Sequence, residues 1–161
     1  MSKSNVVKVG DVISVPAAPD MCFFCIVIIV RKLLYLGVLK GLHAPFASIN
    51  DVIRQELVLA AWTADAEIRF KRWKIVGSKE ISGLGLNEPS YIVGFQGEQW
   101  VEDADGNRVR RASKGEVAML APRTSFSPAA FEHVVLAMNG HGTWQANWDG
   151  LLIKGGQAKQ N

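Results

Sequence analysis

The chain has 161 residues, of which 48% are hydrophobic and 20% are charged, and 18 basic against 15 acidic side chains give a formal net charge of +3. This length suits one domain with a real core, and the composition excludes the polar, highly charged mixture of disordered chains. So small a positive excess does not favour a nucleic-acid partner. We therefore expect a single domain over residues 1 to 161, with residues 1 to 9 and 155 to 161 flexible.

The N-terminal part of the chain predicts a β-meander. "GDVISVP" (residues 10 to 16), the apolar run of residues 22 to 30 and "LLYLGVLKG" (residues 33 to 41) each have the composition of a strand. The apolar run stops at Arg31, well short of the roughly 20 residues that a membrane-spanning helix needs, and no secretory cleavage pattern follows it. We interpret it as a strand buried on both faces, and we expect a cytoplasmic protein with no membrane partner.

The rest of the chain mixes helices and strands. "SINDVIRQEL" (residues 48 to 57) predicts a short helix capped by Ser48. Further strands are expected in "LVLAAW", "RWKIVG" and "SYIVGFQ", and the Asp105-Gly106 pair predicts a β-hairpin. "SPAAFEHVVLAMNG" (residues 127 to 140) has a serine cap, a proline in its first turn and an Asn-Gly stop, so it predicts a second helix. The expected fold class is α+β, with a mainly antiparallel twisted sheet or partial barrel and two covering helices.

Two cysteines, Cys22 and Cys25, lie in the apolar run. Side chains alternate across a strand, so residues an odd number of positions apart point to opposite faces, and the two thiols then share neither a disulfide nor a metal. The ordinary interpretation is that both are small buried hydrophobic residues. The alternative is that Cys22, beside the Pro19-Asp20 turn, is reachable and acts as a nucleophile. That role needs a nearby base or positive charge that lowers its pKa.

The other residues that could carry chemistry are scattered along the chain. No pair of histidines has the spacing of a helical zinc site, but a divalent metal held by residues from distant parts of the chain stays open. The candidates for such a site are His43, His133, His141, Asp65, Glu67 and Asp149.

"RFKRWK" (residues 69 to 74) interleaves four basic residues with Phe70 and Trp73. Such a stretch can stack nucleic-acid bases, and it can equally steer an acidic protein surface or an anionic ligand. A solvated strand face with inward-pointing aromatic residues has the same pattern. The segment is therefore a candidate for binding and not evidence of a particular ligand.

"GDVISVP" and, further on, "RWKIVG" (residues 72 to 77) together resemble the paired hallmarks of a bacterial family known jointly as immunity protein 26 and phosphotriesterase HocA. The resemblance extends over roughly residues 9 to 105, including the order of strands and "LVLAAWTADAEIRFKRWKIVG". The chain departs from it at Cys25, where many relatives have a glycine.

The resemblance implies one of two activities. The first is hydrolysis of organophosphate triesters, which needs an activated nucleophile and stabilisation of charge on the phosphoryl oxygen. The second is neutralisation of a polymorphic toxin, which needs only a complementary surface. We expect a small hydrolase of the HocA type acting on a phosphotriester, with a bacterial immunity protein that binds a toxin protein as the alternative.

Residue type alone suggests the groups that would carry hydrolysis. They are a nucleophile, Cys22 or Cys25; a base among His43, His133 and His141; and a donor to the phosphoryl oxygen, Arg72 or Lys74. Two residues of the hallmark segment are instead expected to be structural. The Trp73 indole would anchor the core, and Gly77 would allow the tight turn that ends the strand.

Overall fold

The computed structural model describes residues 6 to 153. The strands are β1 (Asp11–Ala18), β2 (Met21–Val30), β3 (Leu34–Leu39), β4 (Leu57–Thr63), β5 (Lys74–Ser78), β6 (Tyr91–Phe95), β7 (Glu98–Glu102), β8 (Arg108–Arg111) and β9 (Ser125–Phe126). The α-helices are α1 (Ile49–Val52), α2 (Ala66–Arg69), α3 (Lys114–Met119) and α4 (Pro128–Met138), and two 3-10 segments span Ser82–Leu84 and Ala146–Leu151.

The chain divides into two compact units. Unit 1 runs up to Gly85 and resumes at Ser125, and unit 2 is the intervening Leu86–Thr124. The expectation of a single domain stays a prediction. Of the two ends expected to be flexible, residues 1 to 5 and residues 155 to 161 lie outside the described part of the chain.

Unit 1 is built on an open six-stranded sheet in the order β5-β1-β2-β3-β4-β9. Its neighbouring strands are antiparallel except for β4 and β9, which run parallel. In β2 every residue from Cys22 to Ile29 is buried, because the sheet is covered on both faces. The predicted meander, the strand buried on both faces and the α+β class are therefore confirmed.

Each face of this sheet has its own apolar layer, and one predicted helix contributes to each. The α4 layer includes Ile13, Phe23, Val27, Trp73 and Phe131. The α1 layer includes Val12, Phe24, Ile26, Leu39 and Val52. Ser127 caps α4 by accepting the N–H of Ala130, as predicted, whereas the side chain of Ser48 makes no cap hydrogen bond at α1.

Gly77 does not end its strand at a tight turn, so that part of the prediction is wrong. The residue lies inside β5 with an extended backbone, and the register between β1 and β5 shifts beside it. A Cβ atom at this position would come within 3.1 Å of Cγ2 of Ile49. The glycine therefore leaves room for α1 to lie close to the sheet.

Unit 2 contains its own three-stranded antiparallel sheet, β6-β7-β8. The predicted hairpin joins β7 to β8, with the Asp103 carboxylate accepting the N–H groups of Asp105 and Asn107. Helix α3, which the sequence analysis did not predict, begins with a capping box in which Ser113 and Glu116 each accept the other's backbone N–H.

Candidate functional site

The two cysteines lie on opposite faces of β2, as predicted. Cys25 belongs to the α4 layer and is 0% exposed, and Cys22 belongs to the α1 layer and is 3% exposed. The alternative that Cys22 is reachable beside the turn is therefore wrong. Burial raises the pKa of both thiols, and a hydrogen bond with Ser14 only partly offsets this for Cys22. Neither group is poised as a thiolate nucleophile.

Among the sequence-predicted residues, Cys22 and His43 are neighbours through their backbones. Each donates its N–H to the other's carbonyl oxygen at 2.8 Å. Their side chains have other partners, because the Cys22 thiol lies 3.7 Å from the carbonyl oxygen of Ala44 and His43 Nε2 lies 3.0 Å from that of Lys40. An isolated backbone bridge therefore brings Cys22 and His43 together, without a hydrogen bond between the thiol and the imidazole.

The remaining histidines are exposed. His133 lies on the solvent side of α4, and His141 follows the end of that helix. Of the carboxylates considered for a metal, Asp65 and Glu67 pair with arginines, and Asp149 accepts the Trp144 Nε1–H at 2.7 Å. Within residues 6 to 153 no group of three or more His, Cys, Asp or Glu side chains is placed to hold a metal ion.

Arg72 and Lys74 lie in the segment of residues 69 to 74, which we call the basic loop. It links α2 to β5, and all of its residues are exposed apart from Trp73. Phe70 is 69% exposed and Trp73 is 1% exposed, so only one of the two aromatic residues points inward. The interpretation of the segment as a strand face holds only from Lys74 onward, where β5 begins.

Backbone geometry explains why the two aromatic rings diverge. Helix α2 is a single turn, and Lys71 follows it in the left-handed conformation with φ of +60°. The N–H groups of Arg72 and Trp73 then both donate to the carbonyl oxygen of Glu67, at 2.8 and 3.1 Å. This reversal leaves Phe70 in solvent and sends Trp73 into the α4 layer.

Side chains hold the loop in that shape. The Arg72 guanidinium donates through two nitrogens to the Glu67 carboxylate, which lowers the pKa of Glu67 and raises that of Arg72. The Trp73 indole N–H donates to Oε1 of Glu132 at 2.7 Å. The loop is thus held at two adjacent residues, by the ion pair of Arg72 and by the buried indole of Trp73.

The exposed side of the basic loop combines an aromatic ring with positive charge. The Arg72 guanidinium lies 5.3 Å from the centroid of the Phe70 ring, within cation-π range. Arg69 pairs with Asp65 at 3.0 Å. In the described part of the chain Lys71 and Lys74 have no carboxylate partner. The surface therefore offers one apolar ring and two lysines to an external ligand.

The sequence marks this segment but not the residues that shape it. Glu67 is a candidate metal ligand by residue type, yet its carboxylate binds Arg72, five positions along the chain. Glu132, which accepts the hydrogen bond of the Trp73 indole, lies on α4, 59 positions along the chain. No local pattern marks so distant a partner.

A scan of protein-family models finds no match to the chain, and neither does a search of curated proteins or of solved structures. The resemblance to the immunity protein 26 and HocA family stays a prediction. None of the helices in residues 6 to 153 has the length and apolar character needed to cross a membrane.

Proposed function

We propose that this chain is a binding protein that recognises an acidic protein surface through its basic loop, as an immunity protein binds a toxin. The observation that carries the proposal is Phe70, which is 69% exposed among basic side chains on a loop whose next aromatic residue is buried. An aromatic ring held among basic side chains on an ordered segment is a candidate anchor for a protein interface.

The physical chemistry of the basic loop suits recognition of a protein. Aromatic and arginine side chains dominate the binding energy of many interfaces, and Phe70 and Arg72 lie in contact here. The Glu67 ion pair and the buried Trp73 order the loop before any partner arrives, which reduces the entropy lost on binding. The exposed lysines would accelerate encounter with an acidic surface.

Hydrolysis of phosphotriesters has less support from the geometry. Both thiols are buried with raised pKa values, and Arg72, one of the two expected donors, is held by Glu67. The proposal keeps the cytoplasmic location expected from the sequence, with both cysteines free.

The binding proposal is tested with products of the genes that neighbour the one encoding this chain. Each is produced in an inactive form, and its affinity for the purified chain is measured by calorimetry. For a product that binds, we expect Phe70→Ala and Lys74→Glu each to weaken affinity by about tenfold or more. Lys74→Glu should also slow association, and added salt should reduce that difference.

Matched controls separate the basic loop from general effects. Phe46→Ala removes another exposed phenylalanine of unit 1, and Lys114→Glu makes the same charge change in unit 2. Both should bind within about twofold of the original chain. Unchanged affinity in Phe70→Ala and Lys74→Glu, or no binding by any neighbouring gene product, would overturn the proposal.

The hydrolase hypothesis has its own assay. Purified chain is incubated with a chromogenic diethyl phosphotriester before and after thiol alkylation and before and after chelation. Turnover that disappears on alkylation would favour a cysteine mechanism over the binding proposal, and turnover that disappears on chelation would favour a metal.

A further inference from the structure

Strand β5 lies at one edge of the unit 1 sheet. It pairs with β1 on one side, and no strand in the described part of the chain pairs with its other side. A strand in this position presents N–H and C=O groups that can bind an extended chain. β5 also continues the basic loop, because Lys74 ends the loop and begins the strand. A protein bound at the basic loop would therefore lie beside this edge.

Backbone geometry identifies a residue of β5 whose hydrogen-bonding groups face outward. Ser78 is opposite Asp11 of β1, and the next residue, Lys79, donates its N–H to the carbonyl oxygen of Gly10 at 2.8 Å. Successive residues of an antiparallel strand bond alternately toward one neighbour and away from it. Since Lys79 bonds toward β1, the N–H and C=O groups of Ser78 point away from it.

Apolar side chains are exposed along the same edge. Val76, in the middle of β5, is 39% exposed. Val9 is 53% exposed and precedes Gly10, the residue that accepts the N–H of Lys79 at the end of β5. Side chains of an added strand would cover such residues and gain cross-strand contacts. The edge therefore favours a partner segment that is extended and partly apolar.

The charges along β5 differ between its two ends. The lysines of the basic loop, of which Lys74 belongs to β5 itself, have no carboxylate partner in the described residues. Asp11 and Glu80 lie at the other end, and the ammonium of Lys79 there donates to the carbonyl oxygen of Ile53. A complementary segment would thus have its acidic residues at the Lys74 end.

We propose that β5 accepts an extended segment of the protein partner as an additional antiparallel strand, with acidic residues of that segment beside Lys74. The inference rests on the proposed function, since the basic loop would hold the same partner. A lysine and the register shift beside Gly77 discourage pairing with strands in general. Carboxylates at the C-terminal end of the added strand would offset the positive charge at Lys74 and select the partner.

A proline substitution tests the added strand with the neighbouring gene product that binds in calorimetry. Ser78→Pro removes an outward N–H that does not bond to β1, a position where an edge strand tolerates proline. We expect it to weaken binding by about tenfold or more. Ser78→Ala, which keeps the N–H, should bind within about twofold of the original chain. Binding that Phe70→Ala weakens and Ser78→Pro leaves unchanged would overturn the added strand but not the proposed function.

Amide hydrogen exchange in the original chain gives a second measurement, which is valid even if Ser78→Pro does not fold. The Ser78 amide should exchange at least about tenfold more slowly in the complex than in the chain alone. The Lys79 amide, already bonded to Gly10, should change much less. A Ser78 amide protected in the chain alone would show that the edge is already covered and would overturn the proposal, as would an unchanged rate in the complex.

A synthetic peptide tests the edge even if no gene product binds and the proposed function fails. The peptide alternates valine and threonine and ends in two glutamates, and its control ends in two lysines. We expect the acidic peptide to shift the amide signals of residues 74 to 78 in NMR spectra and to bind about tenfold or more tightly than the control. Lys74→Glu should reverse this preference.

The peptide results also show what would overturn the proposal. Shifts centred elsewhere, equal binding of the two peptides, or no binding at millimolar concentration would each contradict it. Sedimentation of the chain alone gives a further check. A dimer that dissociates in Ser78→Pro would assign the edge to a second copy of the chain and would overturn the role of the partner.

Discussion

Phe70 and Trp73 lie three positions apart and have opposite environments. The Trp73 ring lies 5.8 Å from the Phe131 ring, between centroids, and its indole N–H is bonded to Glu132, whereas Phe70 is exposed. The left-handed Lys71 between them makes this divergence possible. The basic loop is therefore attached to the α4 layer by Trp73. A substitution at Trp73 that disrupts the packing of this layer would also disturb the exposed side of the basic loop.

Thr63 at the end of β4 is a buried polar residue, 0% exposed, whose hydroxyl has no hydrogen-bond partner in the described part of the chain. A buried hydroxyl without a partner carries a desolvation cost with no compensating bond. Replacement by valine keeps the branched shape and removes that cost. We expect Thr63→Val to raise the free energy of unfolding by about 1 kcal/mol in urea titrations.

The control for this prediction is Thr63→Ala, which removes the hydroxyl and also a methyl group. It should gain less than Thr63→Val or lose stability, because it leaves a void. A lower stability in Thr63→Val than in the original chain would contradict the prediction and would mean that the hydroxyl has a partner in solution.

At the scale of elements, the sequence predicted the strands and helices whose formation depends on residues close together along the chain. The strands β1 to β3 follow from apolar runs bounded by turn residues, and α4 follows from its serine cap and Asn-Gly stop. Helix α2, a single turn like α1, was not predicted. Helix α3 could have been found from "SKGE", the spacing of a capping box, because the apolar run "VAMLA" (residues 117 to 121) follows it.

The candidate surface was predictable only in composition. The sequence "RFKRWK" shows that the segment contains positive charges and two aromatic rings. Whether each ring is buried or exposed depends on the left-handed backbone of Lys71 and on Glu132, which lies 59 positions from Trp73. A cavity of about 300 Å³ in unit 1 is likewise lined by residues from distant parts of the chain, among them Val7, Val30 and Arg69. Contacts of that range leave no trace in a short window of sequence.

The capping box of α3 predicts a pH response. The hydrogen bond from Arg110, together with the backbone N–H of Ser113, lowers the pKa of Glu116 from its ordinary 4.5 to about 2. A carboxylate whose pKa is lower in the folded chain stabilises it above pH 4.5, and this contribution is lost as the pH falls toward 2. We therefore expect α3 to weaken over that interval.

Titration of the Glu116 carboxyl carbon by NMR measures this directly. The apparent pKa should lie near 2 in the original chain and should rise toward 4.5 in Arg110→Gln. Lys114→Gln, which removes a neighbouring cation that does not bind Glu116, should change it much less. A Glu116 that titrates near 4.5 in the original chain would show that the Arg110 pair does not persist in solution.

At the scale of the whole molecule, the two units have very different cores. Unit 1 has an apolar layer on each face of its sheet. In unit 2 the buried hydrophobic residues are Ile92, Val101 and Ala104. Segments below about 40 residues seldom bury enough apolar surface to be stable by themselves. Unit 2 should therefore be the less stable part of the fold.

Native-state hydrogen exchange tests this difference. We expect amides of the β6–β7 pair to exchange through openings of lower free energy than those of β1, β2 and β3. Low concentrations of denaturant should accelerate exchange in unit 2 first. Equal opening free energies across both sheets would contradict the prediction and would indicate that the chain unfolds as one cooperative body.

The placement of the thiols on β2 makes them separate reporters of the two layers. Cys22 becomes available to a reagent only when the α1 layer opens, and Cys25 only when the α4 layer opens. A pulse of alkylating reagent at increasing denaturant, read by fragmentation of the peptide that contains both, would record the order of the two openings. The molecule thus contains an internal probe on each side of its central strand, with no engineered label required.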